Sequence, residues 1–286
     1  MKSVILLLLG IVGTCISLNG QEIKGTILDS LNATPLEYVS VGIVGTRYGC
    51  ITDQQGVFHL EVPEQEPETL VRISMIGYKS QSFTLEELRN RDTDIRLMVD
   101  PIPIAELTIT PSGEPYTVGT TKYTRLGNWC GWGGSRRGKG HEIDTLLQLG
   151  EEFVHVRTLH VHMHRQAYDT SWYRLHIRSL KDDKPDRELL TSNVILAIYQ
   201  EKGWVELDLT PYNIVVQGDV ALTLEWLKIS GINEDRAMKI NDRVTTEYIL
   251  FNIKNKQGNI YTRWGVEANW NAEYYGSPAM YLTVQK

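Results

Sequence analysis

Apolar and polar residues alternate one by one along much of this chain, as expected of strands that bury a single face. Val39, Val41 and Ile43 share one side, while Tyr38, Ser40 and Gly42 take the other. Phe58, Leu60 and Val62 repeat the pattern and stop at Pro63; Val71, Ile73 and Met75 do so before Gly77. Ile95 and Leu97 predict a closing strand. Between these runs, Thr52-Asp53-x-x-Gly56 predicts a turn, because Asp53 can bond the backbone two residues on and Gly56 can take a positive φ. Turn chemistry is therefore the expected role of Asp53, ahead of calcium binding or catalysis. Thr84 to Leu88 predicts one short helical turn, with Thr84 as N-cap and Glu87 completing a capping box.

The order of these pieces carries a resemblance. Gln21-Glu22-Ile23-Lys24-Gly25-Thr26-Ile27 leads into Pro35-Leu36-Glu37-Tyr38-Val39-Ser40-Val41-Gly42-Ile43 and Gly45-Thr46-Arg47-Tyr48-Gly49. Thr52-Asp53-Gln54-Gln55-Gly56-Val57-Phe58 and Ile73-Ser74-Met75-Ile76-Gly77-Tyr78 follow. Residues 21–99 thus resemble the carboxypeptidase regulatory-like domain, a small transthyretin-like β-sandwich common on envelope proteins of Gram-negative bacteria. The resemblance implies an accessory module without catalytic residues of its own. In related outer-membrane proteins such a sandwich precedes the plug and barrel of a TonB-dependent receptor. The residues that follow here are too few for a barrel of roughly 22 strands of about ten residues each, which removes the transporter reading.

Residues 116–286 carry further strand patterns at Phe153 to Arg165, Tyr173 to Ser179, Val194 to Tyr199, Trp204 to Leu209, Val220 to Ile229, Thr246 to Phe251 and Met280 to Val284. Turns such as Glu201-Lys202-Gly203 and Gln217-Gly218-Asp219 separate them. Regular strand spacing predicts a second sandwich or jelly roll. Gly203 to Leu209, Tyr212-Asn213-Ile214 and Gly218-Asp219-Val220 resemble in layout the late strands of lectin-type jelly rolls. The expected fold class is all-β: a leader over 1–20, a regulatory-like sandwich over 21–100, a Pro-containing linker over 101–115 and a jelly-roll-like domain over 116–286.

Lys2 and the apolar run Val4 to Ile16 read as an export signal, too short to span a bilayer comfortably. Cleavage after Gly20 is expected, with lipidation at Cys15 as the alternative. No later segment is apolar enough to cross a membrane as a helix. The product is expected in the periplasm, on the outer membrane or at the cell surface. A net charge of −6 with mixed signs argues against nucleic-acid binding. Once the leader is removed, Cys50 and Cys130 remain. One bridge between domains is open to them in an oxidising compartment, but the expectation is two unpaired thiols.

Candidate chemistry is sparse. His160-Val161-His162-Met163-His164 places three imidazoles on one strand face, too spread for one ion to bind all three. Two of them with His176, Glu225 or Asp208 could hold zinc; a polar sheet face is the plainer expectation. Gly133-x4-Gly138-Lys139 imitates a phosphate-binding loop, but Gly140 replaces the required Ser or Thr. Trp129 and Trp132, with Arg136 and Arg137, instead suggest a flexible loop. Neither His-Glu-x-x-His nor Gly-x-Ser-x-Gly occurs. Glu151-Glu152 and Asp182-Asp183 are poor acid–base pairs, since neighbouring strand residues point to opposite faces. No cofactor is predicted; a loop Asp pair could hold structural calcium, yet nothing fixes a ligand count.

The aromatics are mostly Tyr (14) and Trp (7), against four Phe, which suits half-wet positions on sheet faces. Trp172, Tyr173, Trp264, Trp270, Trp129 and Trp132 are the candidate ligand contacts, with Tyr274 and Tyr275 as further possibilities. The expected function is a non-enzymatic envelope module that binds a glycan or a protein partner. The alternative is a hydrolase of glycan or peptide, built on the histidines and scattered carboxylates.

Overall fold

The computed structural model describes residues 21–63, 65–91, 94–100, 112–123, 129–133, 139–240, 243–254, 260–273 and 276–286. The leader with Cys15, most of the Pro-containing linker, Arg136, Arg137, Tyr274 and Tyr275 lie outside these residues. About 60% of the chain is strand and 5% helix, which makes the protein all-β.

The first sandwich packs a three-stranded sheet, ordered Val57–Val62, Gln21–Asp29, Asp94–Leu97, on a four-stranded one, ordered Gly49–Ile51, Ser40–Ile43, Leu70–Ser74, Gln81–Thr84. The alternation foretells its core: Ile27, Val39, Val41, Ile43, Phe58, Leu60, Val71, Ile73 and Leu97 are all buried between the sheets. Asp53 Oδ1 accepts the N–H groups of Gln55 and Val57, both at 2.9 Å, while Gly56 sits at φ 72°. A Cβ at Gly56 would fall 2.5 Å from the Ile27 carbonyl oxygen, so the turn needs glycine twice over. Thr84 and Glu87 form the expected capping box on the Leu85–Arg89 helix.

The second unit is a larger sandwich of a seven-stranded and an eight-stranded sheet. The seven-stranded docking sheet runs Lys184–Glu188, Tyr168–Lys181, Val220–Ile232, His141–Leu147, Ile260–Trp264, Asn271–Glu273, with Val194–Ile198 also paired to Tyr168–Lys181. The eight-stranded histidine sheet centres on Val154–Gln166, flanked by Met280–Gln285, Gly203–Asp208 and Tyr248–Lys254. Leu159, Val161 and Met163 from one sheet meet Tyr173, Leu175, Leu222, Leu224 and Trp226 from the other. A bulge between Val156 and Thr158 resets the alternation, so Val154 and Val156 point inward as well as Leu159 and Val161.

One expectation fails at Trp129 and Trp132. They lie in a strand, Trp129–Gly133, paired with Tyr248–Asn252, and not in a loop. Trp132 is driven into the core, stacked 5.8 Å from Trp226 and edge-on to Phe251. Gly131 makes this pairing feasible, because any Cβ there would sit 1.9 Å from the Ile249 carbonyl oxygen.

The two sandwiches dock through the outward side of the Ser40–Ile43 strand and the outer face of the docking sheet. Ser40 and Gly42, on the polar side of their strand, are buried nonetheless, because the docking sheet and the turn after Trp264 cover them. A Cβ on Gly42 or on Gly49 would approach Val266 Cγ2 to 2.5 Å. The Gly45 N–H donates to the Glu267 carbonyl at 2.9 Å across the same seam.

Candidate functional site

Two polar faces flank the core of the larger sandwich, and they differ in kind. On the docking sheet, Arg174, His176 and Arg178 alternate with the core residues Tyr173, Leu175 and Ile177, so all three project from the outer face. Glu225 and Glu142 come from the adjacent strands. Arg174 Nε lies 3.0 Å from Glu225 Oε2, and its Nη2 donates to the Tyr38 carbonyl of the first sandwich at 2.7 Å. His176 places Nδ1 2.6 Å from Glu188 and Nε2 3.0 Å from Glu225. Arg178 Nη1 donates to Glu142 at 2.6 Å, and Arg263 donates to the other oxygen of Glu142. Lys228, paired with Glu37 at 2.7 Å, closes one edge.

Burial alone would raise these carboxyls, but Arg178 and Arg263 hold Glu142 well below the usual carboxylate range. Arg174 and His176 do the same for Glu225. Asp144 is the exception. Burial pushes it up to about 8, because only the Tyr261 N–H, at 2.5 Å, supports Oδ1 while Oδ2 has no partner among the described residues. Glu142, His176 and Glu225 bring donor atoms within 4.8 Å of one another, a ligand-like spacing. Their charges are already matched by three guanidinium groups, so a metal ion would have to displace arginines. This face is an ionic junction between the sandwiches, and its chemistry is structural.

The histidine sheet presents the other face. His160 and His162 follow the inward Leu159 and Val161 and so point outward, each opposite an aromatic on the next strand. Register pairs His160 with Tyr281 and His162 with Trp204. The rings form a ladder: His160 stacks on Tyr281 at 4.2 Å and 8°, Tyr281 meets Trp204 edge-on at 5.2 Å, and Trp204 meets His162 edge-on at 4.9 Å. Tyr123 lies over His162 at 4.0 Å. Beside the ladder opens a depression of about 570 Å³, lined by Tyr123, His162, His164, Lys202, Gly203 and Asn252. Trp204, Tyr281 and Tyr123 are all half-buried.

Asn252 sets the histidine tautomers. Its Oδ1 lies 2.8 Å from His162 Nδ1, and its Nδ2 lies 3.3 Å from His164 Nδ1. In that orientation His162 carries its proton on Nδ1 and offers a lone pair at Nε2, while His164 presents an Nε2–H donor. Burial lowers the pKa of His160, His162 and His164 alike, which favours the neutral rings this pattern needs. His160 Nε2 meets Thr283 Oγ1 at 3.0 Å, and its Nδ1 lies 3.2 Å from Glu206. His162 and His164 thus share Asn252, while His160 is engaged by Thr283 and Glu206. Of the outside ligands considered from sequence, His176 and Glu225 belong to the docking sheet, across the core.

The aromatics singled out from sequence fall elsewhere. Tyr173 and Trp132 are core residues with at most 5% exposure, which no ligand reaches. Trp172 and Trp270 belong to the ionic junction. Lys228 lies 5.1 Å from the Trp172 ring, and Trp270 covers the guanidinium groups of Arg178 and Arg263 at 5.4 and 5.1 Å. Trp129 packs beside Ala167, Tyr248 and Leu250. Trp264 is exposed on the docking sheet, edge-on to His141 at 5.0 Å. None of these six lines the depression. Trp204 and Tyr281, which sequence reasoning passed over, did leave a signal: each alternates with buried neighbours, Val205 on one strand, Met280 and Leu282 on the other, and so had to face outward.

Other candidates resolve as structure. Asp182 and Asp183 both take positive φ, at 51° and 58°, in the two-residue turn between Tyr168–Lys181 and Lys184–Glu188. Cys50 and Cys130 are both free, and burial raises both thiols, Cys50 to about 12.

Comparison with known proteins bears on the first sandwich. The CarboxypepD_reg-like domain matches residues 23–109, so this part of the chain is a carboxypeptidase regulatory-like β-sandwich. No curated protein matches the chain. Among solved structures, the cysteine protease and lectin-like domains of Cwp84, a surface layer associated protein of Clostridium difficile, align over 93% of this chain at 8% identity and a TM-score of 0.39. The chain spans 58% of that structure, under two thirds of its length. Among the described residues, no helix is long and apolar enough to cross a membrane.

Proposed function

We propose that this is a non-enzymatic, exported cell-envelope protein whose jelly-roll-like second domain binds a glycan on the outer face of the histidine sheet. The carrying observation is the ladder of Tyr123, His162, Trp204, Tyr281 and His160 beside an open depression. Sugar rings present C–H faces that stack on aromatic surfaces, and hydroxyls that need donors and acceptors at fixed positions. The ladder offers the first; His162 Nε2, His164 Nε2–H and the Asn252 amide offer the second. The leader-like start of the chain and the regulatory-like sandwich support an envelope location. That sandwich acts as a docking module, since its polar strand face is bound into the ionic junction and leaves the histidine sheet free.

A metal- or carboxylate-dependent hydrolase needs that metal or carboxylate at the reacting bond. Among the described residues the depression has no carboxylate in its lining, so the binding reading is favoured over the catalytic one.

The test is titration calorimetry of the mature protein against a panel of neutral and acidic oligosaccharides, repeated with Trp204→Ala. Loss of one stacking platform should weaken binding about tenfold or more, and Trp204→Phe, which keeps a ring at that position, should recover part of it. Glycan binding that ignores both Trp204→Ala and Tyr281→Ala would remove this face as the site.

A further inference from the structure

Resting on that reading, we infer that the glycan is acidic: the depression is built to take a sugar carboxylate at Lys202. Of the six lining residues, one is a cation and none is an acid. Lys202 is exposed and has no ion-pair partner among the described residues, whereas the lysines at the ionic junction and the chain end are matched by Glu37 and Glu152. The nearest acid in sequence, Glu201, pairs with Arg165 at 2.6 Å, and among the described residues it makes no ion pair with Lys202. Glu206 belongs to the other end of the ladder, 3.2 Å from His160.

Space and hydrogen bonding agree with the charge. The position a Cβ would take on Gly203, at φ 107°, has no atom within 4 Å, so there is open room directly beside Lys202. His162 and His164 both line the same depression, and with Asn252 oriented as above their free Nε2 atoms are an acceptor and an N–H donor. A carboxylate can accept from the Lys202 ammonium and the His164 N–H together, while a neighbouring hydroxyl donates to His162. A neutral sugar hydroxyl can accept from Lys202 but brings no charge to match it. An acidic peptide could use the lysine but would leave the aromatic ladder without a matching face.

The experiment compares a set of uronate and sialic-acid oligosaccharides with their neutral counterparts and with a poly-glutamate peptide, using wild type, Lys202→Gln, Lys202→Glu and Trp204→Ala. Acidic sugars should bind more tightly than neutral ones, by a margin that shrinks between 50 and 500 mM salt. Lys202→Gln should cost the acidic sugars about three- to tenfold and the neutral ones clearly less; Lys202→Glu should abolish the preference. If acidic and neutral sugars bind alike and Lys202→Gln affects neither, while Trp204→Ala abolishes both, the acidic inference fails and the glycan site stands. If no sugar binds, or binding ignores Trp204, the site itself fails. Binding of poly-glutamate in preference to every acidic sugar overturns the inference in favour of a protein partner.

Discussion

Arg174→Met tests whether the ionic junction holds the two sandwiches as one body. Arg174 is 2% exposed, and Glu225, 3.0 Å away, is 1% exposed. Methionine keeps most of the side-chain stem, so what is lost is the charge and the 2.7 Å bond to the Tyr38 carbonyl. Glu225 would then remain buried, with His176 at 3.0 Å and Ser40 at a long 3.4 Å. Removing one partner of a buried pair costs roughly 3–5 kcal/mol, because the remaining charge has no route to water. At about 2–4 °C per kcal/mol for a unit of this size, the melting temperature should fall by about 6–20 °C. Urea unfolding followed by tryptophan fluorescence, alongside limited proteolysis of the whole protein, reads both stability and docking. The Arg174→Met/Glu225→Leu double variant should recover much of the loss, since it strands no charge. A single variant within about 1 kcal/mol of wild type, or a double variant no better than the single, would refute the account.

Other outcomes follow from the same geometry. Glu142, Glu188 and Glu225 are depressed in the folded state below the ordinary 4.5, so their stabilisation is complete above that pH and is lost as pH falls through their lower folded values. Asp144 runs the other way. Raised from 3.8 to about 8, its carboxyl favours folding most at low pH, and that contribution disappears as pH rises through about 8. Asp144→Asn keeps an acceptor for the Tyr261 N–H; it should flatten stability between pH 4 and 8 and exceed wild type at pH 9 by on the order of 1–3 kcal/mol in urea melts. Gly42→Val should wedge the sandwiches apart, since its first carbon meets Val266 at 2.5 Å; about 1–3 kcal/mol of stability should be lost in urea melts.

Alternation by itself determined the inward and outward side of each strand: Val39, Val41 and Ile43 in, Ser40 and Gly42 out; Leu159, Val161 and Met163 in, His160 and His162 out. It also determined the Asp53–Gly56 turn and the Thr84 capping box, because these depend on residues within a few positions of one another. What covers an outward face is a different question, settled by partners far away in sequence. Ser40 and Gly42 look solvated by pattern, yet they are buried because Arg174 and Val266, more than a hundred residues on, pack over them. Tryptophan content could not separate Trp132, sunk in the core, from Trp204, open beside the depression. That distinction rests on strand register, which pairs His162 with Trp204 and His160 with Tyr281 only once the sheet has formed. The candidate site is therefore a product of cross-strand pairing, a long-range property that local periodicity does not encode.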